Sequence, residues 1–172
     1  TFNGDNFDFN YLWHRALKLG IKEEEIPLIV GREYINVFPG VHVDLYKFFN
    51  NHAMRIYAFK EKYREAKTLD SIAHALLNIG KIQLEKSISE LTYEELAQYC
   101  FRDADITLKL TTFDENLVMK LIILLMRISK LPIEDLVRTG ISNWIKNMIY
   151  FEHRRRGYLI PEPVDIKRLK GQ

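Results

Sequence analysis

Cysteine is almost missing from this chain: Cys100 is the only one among 172 residues. No disulfide framework or cysteine-based zinc site can form within it. An intracellular setting, cytoplasm or nucleoid, is the natural expectation. A lone cysteine at helical spacing reads as a small core residue, with a catalytic thiol as the other reading. Long apolar runs are missing too. The longest strongly apolar stretch, residues 121–126, is far short of the roughly 20 residues that span a bilayer. No signal peptide is visible, so no membrane partner is expected. Neither sign of charge is in excess: 25 Lys and Arg against 23 Asp and Glu leave a net charge of +2. Bulk charge therefore does not call for nucleic acid. The chain shows no internal repeat or low-complexity tract, and it starts at Thr1 without an initiating Met.

What is present suits one domain with an appendage, and 47% hydrophobic content can build a sizeable core. Leu12, Ala16 and Leu19 share one face of a helix expected over residues 8–19, with Gly20 past its end. One or two short strands are expected, such as 27–30 and 34–38. The alternating, β-branched run 41–46 reads as another. Thr68 reads as the N-cap of a helix to about 78, with Leu69, Ile72, Ala73, Leu76 and Leu77 buried. Thr92 and Glu95 form a capping box that opens a helix to about 111. Asp114 reads as the cap of the next helix, 115–129. That helix is apolar almost all round, which suits burial in a core or against a neighbouring domain. A last long helix is expected over 133–156, followed by a strand at 158–160.

Two regions carry local charge. Residues 141–172 hold seven Lys and Arg, including Arg154, Arg155 and Arg156, against three acids. This surplus reads either as a phosphate-backbone contact or as a solvated helix end. Residues 47–67 interleave aromatics with Lys and Arg. They read either as a nucleic-acid contact or as a surface element with its aromatics packed inward, the second being favoured.

The acids suggest a chemistry. Asn3, Asp5 and Asp8 crowd the start of the chain and lead straight into the first helix. Tyr99 and Asp103, four residues apart on a predicted helix, share one face. Two-metal phosphodiester hydrolysis needs several carboxylates converging on two cations about 4 Å apart, and Mg²⁺ favours oxygen ligands. Tyr99 beside a metal-bound Asp103 can hold the attacking water. On spacing alone Asp5 serves as well as Asp8, and Asp8 could simply cap the helix. His42 and Asp44 would face the same side of their expected strand; a histidine hydrogen-bonded within the sheet is favoured there over a metal pair. His14, His52, His74 and His153 have no ligand spacing.

The stretch Phe2-Asn3-Gly4-Asp5-Asn6-Phe7-Asp8 resembles the second exonuclease motif of family B DNA polymerases: Asn, two or three residues, then Phe or Tyr and Asp. Tyr99-Cys100-Phe101-Arg102-Asp103 resembles their third motif, Tyr-x-x-x-Asp. His42 to Tyr46 and Leu69 to Leu77 resemble family segments between the two, in the expected order. The motifs cover residues 1–110, and a looser resemblance continues into 141–161. It implies an α/β fold: a partial ribonuclease-H-like exonuclease domain, with an incomplete mixed sheet and flanking helices, plus a helical connection toward the palm. Residues 1–130 would be the C-terminal part of the 3′–5′ exonuclease domain, and 131–172 the helix and strand leading to the palm.

Residue by residue, the resemblance implies that Asp8 and Asp103 bind metal and that Tyr99 orients the nucleophilic water. Asn3 and Phe7 fall on positions lining the single-stranded 3′ end. Asp5 is not the family's ligand. The implied cofactor is Mg²⁺ or Mn²⁺, two ions in the complete site. The implied partners are DNA, as single-stranded 3′ end and primer–template duplex, and a sliding clamp for the parent protein. That parent would be a DNA-directed DNA polymerase that replicates DNA and proofreads. The family's first motif, Asp-x-Glu, and its polymerase motifs are not in this chain. The expectation is therefore a protein that begins well upstream, and a fragment that alone neither polymerises nor degrades DNA efficiently. Residues 47–67 are longer than usual for the family and carry no assigned role. Two rival readings remain: an inactivated exonuclease-like scaffold, and a module binding DNA or a partner through Arg154, Arg155 and Arg156.

Overall fold

Helix α1 (Asp8–Lys18) forms on the expected face periodicity and ends in a Schellman turn. The Ile21 amide donates to the Ala16 carbonyl at 3.1 Å and the Gly20 amide to Leu17 at 3.0 Å, with Gly20 at φ +84°. The structure is a computed structural model that describes residues 1–63 and 68–160. The expected burial of α1 is not observed: none of its residues is buried, and Leu12 and Leu19 stay largely exposed.

A short 3-10 turn, Glu23–Glu25, leads into the hairpin of β1 (Leu28–Val30) and β2 (Ile35–Val37). The strands are antiparallel, with Leu28 opposite Val37 and Val30 opposite Ile35. They form the only sheet among the described residues. The chain is thus mixed α/β but mostly helical, and the incomplete mixed sheet expected from sequence is here one antiparallel hairpin.

Residues 41–46 do not form the expected strand. The Asp44 carboxylate accepts the Tyr46 amide at 3.1 Å and caps α2 (Leu45–Asn50). An Asp positioned to satisfy an orphan helix amide outweighs the β-propensity of the residues before it. A π-helical turn, Met54–Ala58, follows. The aromatics of this region point inward: Phe48, Phe49, Phe59 and Tyr63 are buried, whereas Tyr57 is exposed. Rings 49 and 59 lie 5.4 Å apart, and rings 49 and 63 lie 5.9 Å apart, within the range where aromatic pairs add to burial. The favoured inward-packed reading holds for the described part of 47–67; Arg64 and Lys67 lie outside it.

Helix α3 (Leu69–Leu77) is capped by the Thr68 side chain as expected and ends at left-handed Asn78. After a 3-10 turn at Ile88–Glu90, the Thr92–Glu95 capping box opens α4 (Tyr93–Ser129). This long element is broken at Phe113–Asn116, where Phe113 is extended and Asp114, Glu115 and Asn116 are left-handed. The expected break is therefore present, but Asp114 sits inside it rather than capping the second arm. That arm buries Val118 and Ile122 while Leu124 and Ile128 remain exposed.

The single long helix expected over 133–156 is two helices, α5 (Ile133–Arg138) and α6 (Ile141–Arg155). Thr139 and Gly140 are extended between them, where glycine costs about 1 kcal/mol relative to alanine in a helix interior. The Trp144 indole N–H donates to the Leu136 carbonyl at 3.1 Å and closes the corner. Residues 158–160 form no strand. The core joins α2, α3, both arms of α4, α5 and α6 through Leu45, Ile72, Leu110, Val118, Leu136 and Trp144.

Candidate active site

The opening turn is shaped by a residue far along the chain. Asp44 is completely buried, and its carboxylate accepts the amides of Asn3 at 2.7 Å and Asp5 at 3.3 Å. Asn3 takes a left-handed φ of +69°, and its carbonyl accepts the amides of Asn6 and Phe7 at 3.2 and 3.1 Å. A side chain at position 4 would collide with Thr1. This tight turn delivers Asp8 to the first turn of α1, where an acid is favoured by the helix dipole. Phe7, not Asp8, holds the N-cap position, and no side chain caps the helix. Asp8 is therefore not spent on capping.

The other half lies on α4. Tyr99 and Asp103 are one turn apart there. Sequence reasoning missed a third member, Lys81. Its Nζ lies 2.6 Å from Asp103 Oδ2 and 3.2 Å from the Tyr99 hydroxyl, and 5.2 Å from the Tyr99 ring centre. Burial alone would lower the Lys81 pKa; hydrogen bonds to Asp103 and Tyr99 outweigh it and raise the pKa. The backbone before Lys81 is held from two sides. Asp70 accepts the Lys81 amide at 2.7 Å, and Arg102 donates to the Gly80 carbonyl at 3.1 Å. A side chain at position 80 would meet His74 Nε2. The local signal for this was thin: a lysine after a glycine in an irregular stretch.

The two halves meet. Phe7, Asp8, Tyr99 and Asp103 line one cleft of about 1080 Å³, together with Phe9, His42 and Cys100. Phe7 is 68% exposed, which leaves its ring available to a base or another planar group. Asp103 Oδ1 is buried without a hydrogen-bond partner, a costly state that a cation would relieve. Two carboxylates at one cleft, one with an orphaned buried oxygen, fit a divalent cation bound through oxygen. No group of three or more His, Cys, Asp or Glu side chains gathers for a metal among the described residues.

Asp5 has a different fate. Its side chain is completely buried, 2.9 Å from Arg138, 3.0 Å from Lys47 and 3.5 Å from His42. Burial opposes its ionisation, but the bonds to His42, Arg138 and Lys47 win and hold its carboxyl well below the usual carboxylate range. Spacing could not separate Asp5 from Asp8; burial separates them, placing Asp5 in a closed ion cluster and Asp8 on the cleft. His42 is buried as expected, though not in a sheet. Its Nε2 lies 2.7 Å from Thr1 Oγ1, and its amide donates to Glu134 at 2.9 Å.

Other sequence-derived candidates lie apart from the cleft. Asn3 does not line it; its side-chain oxygen accepts from Asn6 at 2.8 Å. Arg154, Arg155 and Arg156 do not line it either. Arg155 and Arg156 bind Glu152 at 2.6 Å at the exposed end of α6. Cys100 is exposed rather than in the core. Of the basic surplus over 141–172, Lys167, Arg168 and Lys170 fall outside the described residues. No helix among the described residues is long and apolar enough to cross a membrane.

No protein-family model matches the chain. It is 55% identical over 161 residues, 94% of its length, to a protein of Sulfolobus acidocaldarius named DNA polymerase 1. It is 55% identical over all 172 residues to DNA polymerase 1 of Sulfurisphaera ohwakuensis. It is 47% identical over 171 residues, 99% of its length, to DNA polymerase 1 of Aeropyrum pernix. These stretches make up 18%, 20% and 18% of the respective relatives, so the chain spans about a fifth of the proteins it matches.

Proposed function

We propose that this chain is a segment of a DNA-directed DNA polymerase and carries one side of its proofreading 3′–5′ exonuclease site. The names and high identity of the relatives support the polymerase part. The observation that carries the exonuclease part is the cleft, which Asp8 and Phe7 line together with Tyr99 and Asp103 from the middle of the chain. On this reading residues 1–130 belong to a ribonuclease-H-like exonuclease domain of the family B type, and 131–172 lead toward the palm.

Asp8 and Asp103 are the metal ligands, and the orphaned Oδ1 of Asp103 is the oxygen that gains most from the role. A divalent cation, Mg²⁺ or Mn²⁺, held by these two carboxylates would supply activation of a water and charge stabilisation for the leaving oxygen. The Tyr99 phenol, one helical turn from Asp103, holds that water in line. Phe7 offers an exposed face for the terminal base, and Asn3 shapes the turn beneath it. Lys81 holds Asp103 and Tyr99 together while no cation is there. The primer–template duplex would lie along the arginines at the end of α6, with a sliding clamp as a partner of the whole protein. Such a protein works inside the cell. Both Asp8 and Asp103 are present at the cleft, which favours this reading over an inactivated scaffold.

The test uses full-length protein. Asp8→Ala or Asp103→Ala should abolish metal-dependent trimming of a mismatched 3′ end while nucleotide addition continues. Undiminished trimming in either variant removes the site assignment. Loss of DNA binding on changing the α6 arginines, with trimming indifferent to Asp8, would point to the binding module instead.

A further inference from the structure

We propose that Arg138 is a positioning residue for Asp8, acting through Asp5, so that α5 sets the geometry of the hydrolytic carboxylate; this rests on the exonuclease reading of the cleft. Arg138 lies 133 residues from Asp5 in sequence, yet their side chains are 4% and 0% exposed. The guanidinium grips the carboxylate as a fork: Nε donates to Oδ2 at 3.1 Å and one terminal nitrogen to Oδ1 at 2.9 Å. The fork is anchored on the β-hairpin as well, by bonds of 2.8 Å to the Asn36 side chain and to the Ile35 carbonyl. The Tyr34 ring covers it, with its centre 4.4 Å from the guanidinium carbon.

What is clamped is the launch of α1. Asp5 stands three residues before Asp8. Its carbonyl accepts the Asn10 side chain at 2.9 Å, and the carbonyl of neighbouring Gly4 accepts the Phe9 amide at 3.1 Å. A shift of Asp5 therefore turns the first residues of the helix, and Asp8 with them. Arg138 itself does not line the cleft, and its side chain is buried, so its route to the cleft runs through Asp5. Supporting contacts of this kind fix ligands for chemistry, and a misplacement of 1 Å can cost about 100-fold in rate.

R138K keeps a cation beside Asp5 but loses the fork, a non-conservative change at a bidentate site. In full-length R138K, trimming of a mismatched 3′ end should fall about 10- to 100-fold in kcat. KM for the DNA should stay within about threefold and nucleotide addition within about twofold, since no step of either uses the fork. Mn²⁺ binding, followed by electron paramagnetic resonance and with the site's share defined by its loss in Asp8→Ala, should weaken about tenfold. R138M should exaggerate both effects if it folds. Unchanged kcat and Mn²⁺ affinity in R138K overturn the proposal. So does a parallel loss of trimming and addition with a lowered melting temperature, which marks a purely structural role. If Asp8→Ala also leaves trimming intact, the reading of the cleft fails; if Asp8→Ala abolishes trimming and R138K changes nothing, only the role of Arg138 fails.

Discussion

Lys81→Met removes the cation that sits on Asp103. The two side chains are 25% and 27% exposed and 2.6 Å apart. At an effective dielectric of about 20 the direct attraction is roughly 6 kcal/mol. Desolvation of the ammonium and screening cancel much of it, leaving the ~1.5–3 kcal/mol typical of a hydrogen bond to a charged group. The metal-free protein should lose stability by that amount in urea titrations. Lys81 has a raised pKa in the folded state. Its contribution is thus complete below the unfolded value near ~10.4 and is lost only as pH rises through the higher folded value, so the deficit should be constant around neutrality. A cation that engages both oxygens of Asp103, Oδ2 as well as the orphaned Oδ1, must displace this lysine. Removing the lysine returns the same free energy as metal affinity, about a 10- to 100-fold lower dissociation constant. Mn²⁺ binding to full-length protein, read by paramagnetic resonance against an Asp103→Ala control, measures it. Equal or weaker Mn²⁺ binding in Lys81→Met would refute the argument that Lys81 occupies the position of a cation.

Acid should attack the ion cluster under the opening turn. Because the folded carboxyl of Asp5 titrates well below its ordinary range, its stabilisation is present above the unfolded value of about 3.9 and is lost as pH falls toward the folded one. Urea midpoints should fall below about pH 4, and the Asp5→Asn variant should show a flatter slope there; equal slopes would rule out Asp5 as a source of the acid sensitivity. Gly80→Ala should push the His74 ring away from Asp70, from which its Nε2 now lies 3.6 Å. Because that ring is more than half exposed it can move, so the loss should be near the ~1 kcal/mol low end for overpacking. A smaller Lys81–Asp103 coupling in a double-mutant cycle should accompany it, and an unaltered coupling would show that the loop does not set the position of Lys81.

Much was legible in the sequence where the signal is local. The Thr68 cap, the Thr92–Glu95 capping box and the Gly20 turn are formed by residues within a few positions of each other, and helix and turn chemistry acts over that range. The failures have local causes too. At Asp44, helix capping competed with strand propensity and won. At Thr139 and Gly140, a continuous apolar period hid a corner that the Trp144 bond to Leu136 holds shut. Burial of α1 was misjudged because an amphipathic pattern shows which face is apolar, not what covers it.

At the site the division is sharper. Sequence by itself determined that Tyr99 and Asp103 share a helical face, because a period of 3.6 residues is a property of the local backbone. Tertiary structure alone decided that Asp5 is buried in an ion cluster, that one cleft joins the opening turn to the face of α4 bearing Tyr99 and Asp103, and that Lys81 sits on Asp103. The reason is physical. A carboxylate's role depends on whether it is paired and dry or open to a ligand. For Asp5 that was settled by an arginine 133 residues away, at a separation where local sequence carries no information about contact.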